Sequence, residues 1–226
     1  MTTATKRREL PAIFGTPMVR ALLDGRKTQT RRTHGWLDEV NARPDDWARP
    51  VLDPTDGRWV FTAECGQAQQ VRVKPRYQVG DILRVNEALV KHQSGYWCYA
   101  ADIAAIELSV RDPRAAEMIA WAHHKDGRTQ SPRYMPKWAA RIWLEVTDVR
   151  AERVQDISRA DAHAEGFWPS DLDGMEHFAG KKYGNANLAF AACWDSINAK
   201  RGYPWSHNPW EFAYTFKRVE RGEGKG

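Results

Sequence analysis

The stretch ARIWLEVTDVRAERV, from Ala140 to Val154, alternates apolar and polar side chains with a period of two. Ile142, Leu144 and Val146 fall on one face, and Glu145 falls on the other. This period predicts a β-strand with one buried face, because a helix would repeat its apolar positions every three or four residues. Such a strand needs neighbours in a sheet, so the rest of the chain must provide further strands.

Other short segments have the composition of strands and are separated by turn residues. Two of them, RWVFTAE and QQVRVKP, flank Cys65, Gly66 and Gln67 and predict a hairpin. The remaining predicted strands lie within LPAIFG (10–15), VGDILRVNEAL (79–89), GYWCYAAD (95–102) and WEFAYTFKRV (210–219).

Start and stop signals predict three short helices. The first lies between Thr16 and Gly25, and the third spans NANLAFAACWDSINAKRG, residues 185–202. The second begins with a capping-box-like start at Ser158 and ends at Gly166. These helices are short and interrupt the strands without any regular alternation.

Five to seven strands with short helices between them, and no internal repeat, indicate an α+β fold. A small, mixed, partly open β-barrel with short helices and insertions fits this order better than a doubly wound sheet. We predict one domain over residues 9–220, with insertions near 33–57 and 102–130. A disordered basic leader is expected at residues 1–8 and a flexible tail at 221–226.

The chain has 226 residues and a formal net charge of +5, which favours an anionic partner such as nucleic acid. On charge alone, a soluble protein that is merely basic is an equal alternative. No apolar run approaches the roughly 18 residues that cross a bilayer, and the N-terminus has no secretory signal, so no membrane partner is expected. No obligate protein partner is inferred.

Cys65, Cys98 and Cys193 are odd in number and widely spaced, which indicates reduced thiols and a cytoplasmic location. His123 and His124 are adjacent in a polar stretch and favour solvation over ligation. No spacing of histidine and cysteine predicts a metal site, and no cofactor is expected.

The segment GRKTQTRR, residues 25–32, places four cationic side chains and two threonines directly after the first predicted helix. A solvated turn does not need the threonines, and a buried strand does not favour the charges. We therefore expect this cationic turn to face an anionic or strongly polar ligand. A solvated or phosphate-facing edge is the alternative interpretation.

GRKTQTRR after a capped helix, VGDILRV on a strand, the helix DISRADAHAEG and the final strand FAYTFKRV occur in that order. Together they resemble the ASCH family, whose β-barrel is related to the RNA-binding PUA domains. The segments MPKWAARIWLEVTDVRAERVQDIS and WDSINAKRGYPWSHNPWEF look like the ASCH proteins of bacteriophages and prophages, which implies the cytoplasm of a bacterial host. The resemblance extends from Leu10 to Val219 and excludes the two insertions.

One branch of the ASCH family hydrolyses the amide of N4-acetylcytidine with a lysine, a threonine and a glutamate. The resemblance places these catalytic roles on Lys27, Thr30 and Glu165. Thr30 would supply the hydroxyl, and Lys27 would act as base if burial or its arginine neighbours lower its pKa. Glu165 would relay a proton or orient an attacking water. Strand alternation separates Lys27 from Thr30 unless the chain turns at Thr28.

Six further residues are expected to contact the substrate, a nucleoside or single-stranded RNA: Arg26, Arg31, Arg32, Glu87, Trp138 and Trp210. The arginines would meet phosphates, and a tryptophan would stack on a base. Each has a simpler alternative, because tryptophan in a strand-rich domain is more often core and Glu87 has Arg84 or Arg141 as a partner. A non-catalytic reader of RNA or of a modified base, and a ribonuclease using the same basic cleft, are therefore alternative functions.

Overall fold

A computed structural model of the chain describes residues 7–64, 69–106, 112–114, 129–168 and 176–220. The predicted turn at 65–67, most of the predicted insertion at 102–130, and the predicted tail at 221–226 lie outside these residues. Of the predicted leader, Arg7 and Arg8 are described, and the Arg8 guanidinium donates a 2.8 Å hydrogen bond to Asp81.

Short strands make up most of the regular structure. They are β1 (Glu9–Ile13), β2 (Gln29–Arg32), β3 (Val51–Asp53), β4 (Arg58–Thr62), β5 (Gln70–Val73), β6 (Ile82–Asn86), β7 (Leu89–Lys91), β8 (Trp97–Tyr99), β9 (Thr129–Gln130), β10 (Trp143–Arg153), β11 (Glu176–Phe178), β12 (Lys181–Tyr183) and β13 (Trp210–Val219). The α-helices are α1 (Thr16–Leu23), α2 (Asp38–Ala42), α3 (Arg159–Ala164) and α4 (Ala186–Asn198). The predicted α+β class is confirmed.

The chain forms two compact units. The first contains residues 1–25, 81–145 and 218–226, and the second contains residues 26–80 and 146–217. The strands form several sheets, and among the described residues no sheet closes into a barrel. The single domain expected over residues 9–220 stays a prediction.

The first unit is built around β6. β1 pairs with it in parallel and the first residues of β10 pair with it antiparallel, so that Leu10 and Leu144 both lie opposite Leu83. Leu83 and Leu144 are 0% and 1% exposed, which confirms the buried face predicted for this part of β10. A second sheet has the order β8-β7-β9. Helix α1 begins at Thr16, within the predicted range, and its N-cap is Gly15.

In the second unit, β2 pairs antiparallel with β13, and β3, β4 and β5 form a three-stranded meander. The segment predicted as an irregular insertion at 33–57 contains α2 and β3. The helix propensity of this segment is weak. Leu37 and Val40 are both 0% exposed, and their burial stabilises α2.

Helix α3 begins as predicted, because the Ser158 side chain accepts a hydrogen bond from the backbone N–H of Asp161. Its last helical residue is Ala164, and Gly166, the predicted stop, has a φ of 103°, a left-handed conformation that favours glycine. Helix α4 buries Phe190 and Trp194 and leaves Leu188 54% exposed. No helix within the described ranges is long and apolar enough to span a membrane.

Candidate functional site

The cationic turn lies against the C-terminal end of helix α3, within the second unit. The backbone N–H of Thr28 donates to the carbonyl of Ala164 at 2.8 Å, and Lys27 Nζ donates to the carbonyl of Glu165 at 2.7 Å. The last carbonyls of a helix lack partners within the helix and carry partial negative charge. Lys27 and Thr28 therefore complete the helix end, which is one physical reason for a lysine at this position.

Lys27 also forms a buried ion pair. Its Nζ lies 2.7 Å from Glu165 Oε2, and the two residues are each 4% exposed. Burial lowers the pKa of Lys27 from its ordinary value; the Glu165 carboxylate opposes this shift and Arg32 adds to it. Burial also raises the pKa of the neighbouring Cys193 thiol to about 11, so this thiol stays protonated near neutral pH.

Arg31 occupies the centre of a larger group of charges that we call the Arg31 cluster. Its side chain is 0% exposed and its guanidinium also donates to the Gln29 amide oxygen at 2.7 Å. Burial lowers the pKa of Arg31, but the surrounding carboxylates raise it by more. Four carboxyl groups surround it, at nitrogen–oxygen distances of 3.0 to 3.6 Å: Glu152, Asp161, Glu165 and Glu211.

Glu211 is the least satisfied member of this cluster. It is 0% exposed, and neither carboxyl oxygen has a hydrogen-bond partner among the described residues. Its Oε1 lies 3.1 Å from Arg31 Nε without hydrogen-bond geometry. Burial raises the pKa of Glu211 well above 4.5, although Arg31 lowers it in part. These contacts favour the protonated form of the Glu211 carboxyl over the ionised form.

Thr30 lies on the other face of β2. The register places Thr30 opposite Tyr214 and Arg31 opposite Ala213, and side chains alternate between the two faces of a strand. Arg31 faces Glu165, so Thr30 faces away from Glu165, on the side of the buried Tyr214 ring. The structure thus brings Lys27 and Glu165 together and does not place Thr30 on their face.

Two predicted phosphate contacts flank Lys27 and are partly exposed. Arg26 is half-buried, and its Nη1 donates to the carbonyl of Gly166 at 3.5 Å. Arg32 is half-buried at the end of β2. Arg31 differs from both, because its guanidinium is fully buried among carboxylates and so cannot meet a phosphate at the surface.

Glu87 and Trp138 belong to the first unit. Glu87 is 1% exposed and receives two hydrogen bonds from Arg141, at 2.8 and 3.0 Å, as in the structural alternative weighed above. Trp138 is half-buried and packs against Leu89 and Trp97. Both residues have internal partners that account for their positions.

Trp210 is part of the core of the second unit. It is 5% exposed, its ring meets Phe61 edge-on, and its Nε1 donates to the Pro44 carbonyl at 3.0 Å. The Arg153 guanidinium lies 5.4 Å from the ring centroid. A base would have to displace these contacts to stack on Trp210, so the structure does not place it as a stacking platform.

Sequence reasoning missed Glu211 and Glu152, which share the Arg31 cluster. Glu211 stands between two aromatic residues, and period two along β13 puts it on the face of Ala213. A carboxylate in so apolar a strand was the available signal. Within the described part of the chain, no group of three or more His, Cys, Asp or Glu side chains is arranged to hold a metal ion.

Comparisons with protein-family models, with curated proteins and with solved structures found no match to this chain.

Proposed function

We propose that this chain is an ASCH-type, PUA-like protein that binds a nucleoside or single-stranded RNA and removes the acyl group from an N4-acylated cytidine. The observation that supports this proposal is the buried Lys27–Glu165 pair, in which Nζ and Oε2 are 2.7 Å apart. A buried lysine in contact with a carboxylate, with its pKa lowered by burial, is the type of pair that is typical of catalytic sites.

Water is the nucleophile that best fits this geometry, since Thr30 faces away from Glu165. The Glu165 carboxylate accepts a proton from water as the oxygen attacks the acyl carbon. The Lys27 ammonium stabilises the resulting oxyanion. As the carbon–nitrogen bond breaks, the proton passes to N4, which gives cytidine and a carboxylic acid. Arg31, 3.4 Å from Glu165 Oε1, holds the carboxylate in place.

A non-catalytic reader is the second candidate, and the position of Thr30 favours it. A reader requires cations and shape but no nucleophile. Arg26 and Arg32 are half-buried on either side of Lys27, so each retains surface for a phosphate. In this function Lys27 and Glu165 would serve only to complete helix α3.

Incubation of the protein with N4-acetylcytidine and, separately, with labelled single-stranded RNA tests the proposal. We expect deacetylation, detected by chromatography, and a loss of about 100-fold or more in Lys27→Arg and Glu165→Gln. Lys27→Arg keeps a cation at the end of α3, but the larger planar guanidinium cannot place a single donor where Lys27 Nζ would stabilise the oxyanion. Circular dichroism establishes that both variants are folded.

Lys200→Ala and Glu64→Gln are matched controls, because both residues are exposed and lie in the second unit. Deacetylation that survives in Lys27→Arg and in Glu165→Gln would refute the catalytic assignment. Retention of RNA without deacetylation would identify a reader, and cleavage of the RNA would identify a ribonuclease.

A further inference from the structure

Trp168 is an exposed tryptophan held in a defined orientation. It is 46% exposed, yet its ring stacks on His163 with centroids 4.7 Å apart and planes at 22°. Its Nε1 donates a 2.8 Å hydrogen bond to the carbonyl of His163. A large apolar ring kept at the surface by two specific contacts resembles a platform more than a core side chain.

The position of Trp168 connects it to the cationic turn within the second unit. The His163 carbonyl that accepts from Trp168 Nε1 also accepts from the backbone N–H of Gly166 at 2.8 Å. The carbonyl of Gly166 in turn accepts from Arg26 Nη1 at 3.5 Å. An exposed indole and a half-buried guanidinium therefore both bond to backbone carbonyls at the end of helix α3 that carries Glu165.

We propose that Trp168 and Arg26 form a nucleotide subsite, in which the indole stacks on an unpaired base and the guanidinium contacts its phosphate. The proposal rests on the proposed function for the class of ligand, nucleoside or single-stranded RNA. An indole stacks on any base, and an arginine binds phosphate through several donors in one plane. The histidine ring already covers one face of the indole, so the base takes the opposite face.

Trp36 provides a matched control. It lies in the same unit, is 61% exposed and also contacts a histidine, His34. Its ring meets that histidine edge-on, at 81°, and its backbone N–H donates to His34 Nδ1 at 3.3 Å. Trp36 is therefore also an exposed tryptophan beside a histidine. Trp168 differs in being linked to Arg26 by hydrogen bonds through the carbonyls of His163 and Gly166.

The test measures binding of a short fluorescein-labelled oligocytidine by fluorescence anisotropy. We expect Trp168→Ala to weaken binding about tenfold or more, and Trp36→Ala to change it by less than about twofold. Removing one base from the oligonucleotide should weaken its binding to the wild type. The same abasic oligonucleotide should lose much less affinity for Trp168→Ala, because that variant has already lost the stacking contact. Competition by cytidine monophosphate separates a free nucleotide from RNA as the natural ligand.

The plot of log affinity against log salt concentration has a negative slope. Arg26→Gln should make this slope less steep by about 0.7, the contribution of one phosphate contact on a single strand. Equal affinities of Trp168→Ala and the wild type, or no binding by the wild type, would overturn the subsite. Measuring both deacetylation and binding on these proteins separates the two proposals. If the wild type does not deacetylate the substrate but Trp168→Ala still weakens binding, the subsite stands and the amidohydrolase proposal fails. If the wild type deacetylates the substrate and Trp168→Ala binds as tightly as the wild type, the amidohydrolase proposal stands and the subsite fails.

Discussion

Each unit of the molecule contains a largely buried arginine surrounded by carboxylates, and the two groups are satisfied very differently. In the first unit, Arg141 donates two hydrogen bonds to Glu87 and two to Asp102, all between 2.8 and 3.0 Å, and it lies 3.8 Å over the Tyr99 ring. We call this the Arg141 cluster. Its side chain keeps 21% of its surface exposed.

The Arg31 cluster has more carboxylates than its cations can satisfy. Arg150 bonds Glu152 at 2.7 Å and Asp161 at 3.1 Å, and Lys27 bonds Glu165, while Glu211 accepts no hydrogen bond among the described residues. Three cations therefore face four carboxyl groups, and protonation of one carboxyl leaves the cluster neutral. Burial favours Glu211 for that proton.

This difference indicates which of the two clusters is suited to exchanging protons with a substrate. Arg141 uses bidentate geometry toward both partners, which fixes the loop around Asp102 and leaves no group that needs a further partner within the cluster. In the Arg31 cluster, three cations lie among four carboxyl groups, so a bound proton on one carboxyl would balance the charge. A group of carboxyls that shares protons can exchange them with a substrate, whereas a saturated pair only stabilises the fold.

Replacement of Arg31 should have the largest effect. Arg31→Met leaves the carboxylates at its centre without their shared cation, and we expect a loss of about 3 to 5 kcal/mol in the free energy of unfolding. Urea unfolding followed by tryptophan fluorescence measures it. The control is Arg43→Met, whose side chain is 80% exposed and should be nearly neutral. A loss below about 1 kcal/mol in Arg31→Met would mean that the cluster does not hold this unit together.

Replacement of Arg141 should cost less, about 2 kcal/mol, since the partners can adjust. Asp102 is 37% exposed and can turn to water. Burial already raises the pKa of Glu87 and Arg141 opposes that shift, so without Arg141 the pKa rises further and the carboxyl stays protonated. The loss should therefore grow with pH once the pH exceeds the pKa of Glu87 in the folded wild type, which is itself raised above 4.5. Unfolding curves at several pH values, with the exposed Arg133→Met as control, measure this. An Arg141→Met loss larger than that of Arg31→Met would reverse the comparison.

The sequence predicted the parts of this architecture that are local. Alternation gave β13 as WEFAYTFKRV, and the observed strand is Trp210–Val219. Capping at Ser158 and the glycine at Gly166 predicted both ends of helix α3 and hence the position of Glu165 next to its C-terminus. Period two also indicated that Lys27 and Thr30 would be separated. Each of these inferences depends on residues a few positions apart.

The composition of the Arg31 cluster could not be predicted in this way. Its carboxylates are at positions 152, 161, 165 and 211, far from Arg31 along the chain, and the sequence contains 29 acidic residues from which to choose. Strand pairing between β2 and β13 selects Glu211, and no local propensity encodes that pairing. The same limit explains Trp210, because an aromatic residue at the start of a strand is compatible with both a core position and a binding surface.

Glu211→Gln tests the proton balance directly and should have the smallest effect at low pH. Below pH 4.5, Glu211 is protonated in both the folded and the unfolded state, so the amide should change stability little. Above that pH the unfolded chain releases the proton while the folded chain retains it. Wild-type stability then falls by about 1.4 kcal/mol per pH unit until the raised pKa in the folded state is reached. Gln has no proton to retain, so the variant should become progressively more stable than the wild type as pH rises. Thermal unfolding of both proteins across this range measures the difference, with Glu64→Gln as the exposed control. Parallel curves would show that Glu211 is ionised in the folded protein, in which case the Arg31 cluster carries a net negative charge and its proposed capacity for proton exchange with a substrate is lost.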